Sequence, residues 1–149
     1  MLIVPVDATV LMEAVLAEHR RAWPSILTID SVEEIAGQWA SGRKLRYDEP
    51  ALVLFCPVKC ETYFADNGGW RDDSDELFRR FSEVYGEVIT RIKGECPRAV
   101  LEYIPVDTFG CVELRSAEWI RNPDDISGWR FEPTFMLRAD GPGGKPRIQ

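Results

Sequence analysis

The sequence predicts an α+β protein in which one antiparallel sheet of about five strands carries three helices packed on one face. Before Gly94, segments with apolar residues three and four positions apart are typical of amphipathic helices. After Gly94 the apolar residues alternate with polar ones, which indicates strands. Because strands that follow one another through short connections usually pair antiparallel, these observations favour a single antiparallel sheet.

The N-terminal segment predicts a short strand and a helix. Residues 2–6, Leu-Ile-Val-Pro-Val, are apolar, and Pro5 suits an edge strand because proline has no N–H to give to a neighbour. Asp7 is a good N-cap for the helix that follows, which we expect to end near Ala22.

The next segment predicts a helix and a pair of strands. Asp30 and Ser31 each precede an acidic residue by three positions, which is the capping-box spacing, and Gly42 is a suitable stop. The apolar run at 51–56 lies between two prolines and predicts a buried strand. Residues 62–65 are expected to form its returning partner.

Residues 74–93 predict the clearest helix of the chain. Asp73 and Gly94 provide its start and its end. Its apolar face has no interruption and consists of Leu77, Phe78, Phe81, Val84, Tyr85, Val88, Ile89 and Ile92. Three strands are expected after it, at residues 100–105, 109–118 and 129–138.

Cys56 and Cys60 raise the question of a metal or redox site. Zinc needs four ligands, usually from two close pairs, and Cys96 and Cys111 lie fifteen positions apart and cannot form a second pair of that kind. The two-residue spacing of redox pairs is also missing. We therefore expect structural thiols on either side of a hairpin turn, with zinc binding and redox chemistry as the alternatives.

No pattern in the sequence predicts a catalytic residue, a cofactor or a metal ion. His19 is the only histidine and is expected to be solvated on a polar helical face. Gly68-Gly69 lacks the Lys-Ser/Thr of a phosphate-binding loop. The acidic loop at 66–75 does not have the ligand spacing of a calcium-binding EF-hand.

The net charge of −7 argues against nucleic-acid binding, which requires clustered Lys and Arg. No stretch is apolar enough to span a membrane, and the N-terminus lacks the features of a signal peptide, so we expect a cytoplasmic protein without membrane contact. The length fits a single domain at residues 1–139. Residues 140–149 are rich in Gly and Pro and are expected to form a flexible tail.

A charged face of the predicted sheet is the candidate binding surface. Two-residue alternation puts its charged side chains opposite the apolar stripe, and a tryptophan in a glycine-containing loop is the candidate aromatic anchor. The predicted binding residues are Trp70, Glu102, Glu113, Arg115, Arg130 and Glu132. The alternatives are an ordinary solvated sheet face and a Trp70 side chain that folds onto the core.

These features favour a non-catalytic protein-binding module, such as an acidic inhibitor or immunity-type protein that masks a basic site of its partner. One alternative is a small enzyme that uses Glu102, Glu113 or Glu132 on a small-molecule substrate. The other is a structural or assembly component of a larger complex.

Overall fold

The computed structural model describes residues 1–43, 46, 49–64, 72–107, 112–124 and 128–137. Within these ranges the protein is α+β, as predicted, but the prediction of one antiparallel sheet is wrong. The strands form a three-stranded parallel sheet and a separate two-stranded antiparallel sheet. The predicted tail at 140–149 lies outside the described residues.

The parallel sheet has the strand order β1 (Leu2–Asp7), β2 (Ala51–Val58), β3 (Ala99–Tyr103). The antiparallel sheet is a hairpin of β4 (Val112–Arg121) and β5 (Trp129–Leu137), with an irregularity between Leu114 and Ser116. The described residues contain five helices, not the three predicted: α1 (Ala8–Glu13), α2 (Ala17–Arg21), α3 (Trp23–Ile26), α4 (Ile29–Gly42) and α5 (Ser74–Glu95).

The connections explain why the first three strands are parallel. Helices α1 to α4 join β1 to β2, and α5 joins β2 to β3. Through these helices the chain returns to the same end of the sheet before the next strand begins. The predicted return strand at 62–65 is wrong over its described residues 62–64, because Cys60–Thr62 form a single 3-10 turn and the next two residues belong to no strand. With that strand removed, the sequence order is the one expected for helical crossovers between parallel strands.

The predicted hairpin turn between Cys56 and Cys60 is also wrong. Strand β2 continues to Val58, and Lys59 then adopts a left-handed backbone conformation with φ 63° before the 3-10 turn. That conformation changes the direction of the chain. The segment that follows does not return beside β2 as an antiparallel strand.

Asp7 is the N-cap of α1, as predicted: its Oδ1 accepts hydrogen bonds from the N–H groups of Thr9 (3.0 Å) and Val10 (3.3 Å). The helix ends at Glu13, however, and does not reach Ala22 as predicted. A charged side chain from α5, that of Arg80, bonds the carbonyl groups at this early end.

The core lies between the parallel sheet and the helices, and α5 contributes its buried stripe as predicted. Phe81 packs edge-on against Phe55 of β2, with ring centroids 5.3 Å apart. Five residues of α5 are buried: Leu77, Phe81, Tyr85, Val88 and Ile92. Phe78 is the exception to the predicted stripe, because half of it is exposed.

Candidate functional site

The structure divides the five described members of the predicted binding set between two sheets. Glu102 lies on β3 of the parallel sheet, whereas Glu113 and Arg115 lie on β4 and Arg130 and Glu132 on β5. Trp70 lies outside the described residues. The residues of the predicted charged face therefore do not lie on one sheet. Only the four hairpin residues share a sheet.

The outer face of the hairpin carries these four residues among other polar side chains. Arg130 forms an ion pair with Glu132 on the same strand, and Arg115 donates a hydrogen bond to the sulfur of Met136. The strand register places Glu118 directly opposite Glu132. Exposed charged and polar side chains are typical of a solvated sheet face, and the described contacts on this face indicate no ligand site.

Glu102 lies in different surroundings, on the face of the parallel sheet that the helices leave uncovered. Because strand side chains alternate, the register puts Ile3, Leu54 and Glu102 in one row across the three strands. We call this surface the open sheet face. It consists of Ile3, Pro5, Leu52, Leu54, Cys56, Val58, Val100, Glu102, Ile104 and Val106.

The open sheet face is apolar and accessible. Ile3 is 52% exposed, Val100 51%, Ile104 43% and Val106 38%. The side chains of the central strand β2 on this face are half-buried. Parallel sheets are almost always covered on both faces, so an apolar face over which the described residues place no second layer is unusual.

Sequence analysis missed this surface, although a signal for it was present. Strands buried on both faces have continuous apolar runs, whereas strands with one solvated face alternate. The run at 51–56 has no alternation, and it forms the central strand β2. Such a run is typical of a strand that is buried on both faces of its sheet.

The carboxyl ends of the parallel strands carry a polar cluster, and ligands of α/β sheets often bind at this edge. Oδ2 of Asp7 accepts a hydrogen bond from Nζ of Lys59, and the Lys59 ammonium group lies 5.9 Å from the ring centroid of Phe135. Nearby, the hydroxyl of Tyr63 donates to Oε1 of Glu13 at 2.8 Å. The two hydrogen bonds join the ends of β1 and α1 to the segment after β2, and the Lys59–Phe135 contact reaches the hairpin.

The thiol of Cys60 in this cluster is not an activated nucleophile. Burial raises its pKa to about 12, and the negative charges of Asp107, Glu61 and Asp7 act in the same direction. The thiol donates to the carbonyl oxygen of Pro57 at 3.2 Å. A cysteine that stays protonated in this way is inert, so Cys60 is a structural thiol.

The cysteines of the described part are free thiols at Cys56, Cys60 and Cys96. Cys56 lies half-buried on the open sheet face, whereas Cys60 is buried next to the core. No group of three or more His, Cys, Asp or Glu side chains in the described ranges could hold a metal ion. Cys111 lies outside those ranges.

His19 is buried, and the prediction that it is solvated is wrong. Its ring stacks on Trp119 with centroids 4.7 Å apart and planes 6° apart, and Trp129 meets it edge-on at 4.7 Å. Within the described structure its buried Nδ1 has no hydrogen-bond partner, and burial lowers the pKa of the imidazole. His19 therefore anchors the hairpin to α2, through residues about a hundred positions away that no local pattern reveals.

Comparisons with protein-family models, with curated proteins and with solved structures find nothing that matches this chain. Among the described residues, none of the helices is long and apolar enough to cross a lipid bilayer. Fold and site together define an α+β protein whose parallel sheet has one helix-covered face and one apolar open face.

Proposed function

We propose that this chain is a non-catalytic protein-binding module and that the open sheet face is its binding surface. The observation that carries the proposal is the exposure of Ile3, Val100 and Ile104 on one side of a parallel sheet. Burial of apolar surface contributes about 25 cal/mol per Å², so covering this face would stabilise a complex. Contiguous exposed apolar surface of this kind is typical of protein interaction sites.

A basic group on the partner is the finer part of the proposal. Glu102 is an exposed carboxylate on the outer strand β3 of the open sheet face, and the chain as a whole carries a net charge of −7. Opposite charges on the two partners would accelerate their encounter and disfavour acidic competitors. An inhibitor or immunity-type protein that masks a basic site would use this arrangement. The free thiols support a reducing, cytosolic location.

The two alternatives have less support. Glu102 belongs to a different sheet from Glu113 and Glu132, so the strand register gives no pairing of these carboxylates for acid–base chemistry. A structural component of a permanent assembly would use the same open sheet face. It differs from a regulatory module in the lifetime of the complex.

The test compares two Val→Asp variants against the partner recovered from the native cell, identified and purified. Val100→Asp places a charge on the open sheet face, and Val15→Asp makes the same change at a 74% exposed valine between α1 and α2. We expect Val100→Asp to weaken binding by at least about tenfold and Val15→Asp to leave it unchanged. Calorimetric affinities and unfolding curves are needed for both variants. Equal affinity of Val100→Asp and the unmodified protein would refute the proposal.

A further inference from the structure

We infer that the open sheet face binds one amphipathic α-helix of a partner protein, which lies along the strands and places a Lys or Arg beside Glu102. This inference rests on the proposed function and specifies the partner's chemistry. It follows from the dimensions of the face, from the arrangement of its apolar side chains and from its single free carboxylate.

The dimensions match one helix. Neighbouring strands lie about 4.8 Å apart, so the outer strands β1 and β3 are separated by roughly 10 Å, and a helix with its side chains is about 10–12 Å wide. The six residues of β1 extend for about 20 Å, which a helix of roughly 13 residues also spans. A single helix would therefore supply the layer that this face of the sheet lacks.

A second copy of the chain fits the face less well. A second copy would carry the same net charge of −7 and would bring another Glu102, not the cation that this carboxylate needs when it is covered. A strand added at the edge of β1 or β3 is also a poor fit, because it would leave Ile3 and Val100 exposed.

The side chains of the face have the pattern that a helix needs. Leu52 and Val100 lie on one side of the row that contains Leu54 and Glu102, and Ile104 continues β3 on the other side. Apolar residues at positions i, i+3, i+4 and i+7 of a helix would pack on these apolar positions in sequence.

Glu102 determines the charge of the helix. It forms no ion pair or hydrogen bond with any other described residue. A carboxylate covered by an apolar helix would lose its hydration, and the complex would be weak unless a cation paired with it. Arginine is the better candidate, because its guanidinium group can form two parallel hydrogen bonds to the carboxylate.

The experiment maps the contact directly in the cell that produces the chain. The photo-crosslinking residue p-benzoylphenylalanine replaces Val100 on the open sheet face or, as the control, Ile120 on the outer face of the hairpin. Mass spectrometry then identifies the segment joined to each position. From Val100 we expect a segment with helical apolar spacing and a Lys or Arg.

A synthetic peptide of that segment provides the second readout. It should become helical on binding, as measured by circular dichroism, and Glu102→Lys should reduce its affinity by at least about tenfold. Replacing the basic residue of the peptide with Glu should restore the affinity for the Glu102→Lys variant. Absence of this rescue would overturn the pairing with Glu102.

The remaining outcomes separate the two proposals. Crosslinks from Val100 to a second copy, to an extended segment or to another part of the same chain would overturn the helix inference. Crosslinks to a protein from Ile120 alone would also overturn it, while the chain would remain a protein-binding module. If neither position is joined to another protein, the proposed function itself is wrong.

Discussion

Replacing Arg80 with alanine should remove the contact that holds the end of α1 against α5. The guanidinium Nη1 donates to the main-chain carbonyl oxygens of Leu11 (2.7 Å), Met12 (2.8 Å) and Ala14 (3.3 Å). These carbonyls lie at the end of a short helix, where no further turn provides N–H groups for them. The Nε of Arg80 also donates to Oε1 of Glu76 at 2.6 Å, and only 13% of its side chain is exposed.

The magnitude follows from these contacts. A hydrogen bond with a charged partner contributes about 1.5–3 kcal/mol, but the three bonds share one nitrogen and do not add independently. The nearly buried position leaves little room for water to replace the guanidinium. We therefore expect Arg80→Ala to lower the free energy of unfolding by about 2–3 kcal/mol, the upper part of the range for one hydrogen bond with a charged partner.

Arg79→Ala is the matched control. Arg79 also bonds Glu76, at 2.7 Å, but 53% of its side chain is exposed and it reaches none of the α1 carbonyls. Its loss should cost less than about 1 kcal/mol. Urea unfolding followed by far-UV circular dichroism measures both variants. If the two losses agree within about 1 kcal/mol, the carbonyl contacts do not stabilise the fold as we argue.

Two further predictions concern the core and the hairpin. Phe81→Ala removes a buried ring that contacts Phe55 and Tyr85 and should cost about 3–5 kcal/mol in the same assay; a loss below about 1 kcal/mol would contradict the packing. Because burial lowers the pKa of His19 below its usual 6.5, the unfolded chain binds more protons, and stability should decrease as the pH falls below about 6.5. His19→Phe, which keeps a ring against Trp119, should remove this decrease between about pH 7 and pH 5; an unchanged pH profile would exclude His19 as its source.

Local sequence patterns predicted the helices and caps that interactions between nearby residues determine. The apolar residues of helix α5 repeat at helical spacing within its own 22 residues. The Asp7 carboxylate caps α1 through N–H groups two and three positions away. The early end of α1 could not be predicted, because the side chain that bonds its carbonyls comes from residue 80. The burial of His19 depends in the same way on two tryptophans of the hairpin.

The relative direction of the strands was predicted wrongly because of one short segment. An antiparallel sheet needed residues 62–65 as a strand beside β2, and the structure has a 3-10 turn at Cys60–Thr62. For the candidate site, alternation assigned Glu102 correctly to the side opposite Leu101 and Tyr103. Alternation does not reveal which strand pairs with β3. That partner is β2, about fifty residues earlier, and not β4.

The two sheets of the chain provide an internal comparison that supports a buried role for the open sheet face. In the hairpin, the inner face contains aromatic residues such as Trp119 and Phe131, and the outer face contains Glu118, Arg130 and Glu132. The chain thus follows the usual polar alternation where a sheet face meets solvent. In the parallel sheet both faces are apolar, although only one contacts the helices. Solvent exposure explains the composition of the hairpin but not that of the open sheet face, whereas a helix packed on that face accounts for its apolar residues.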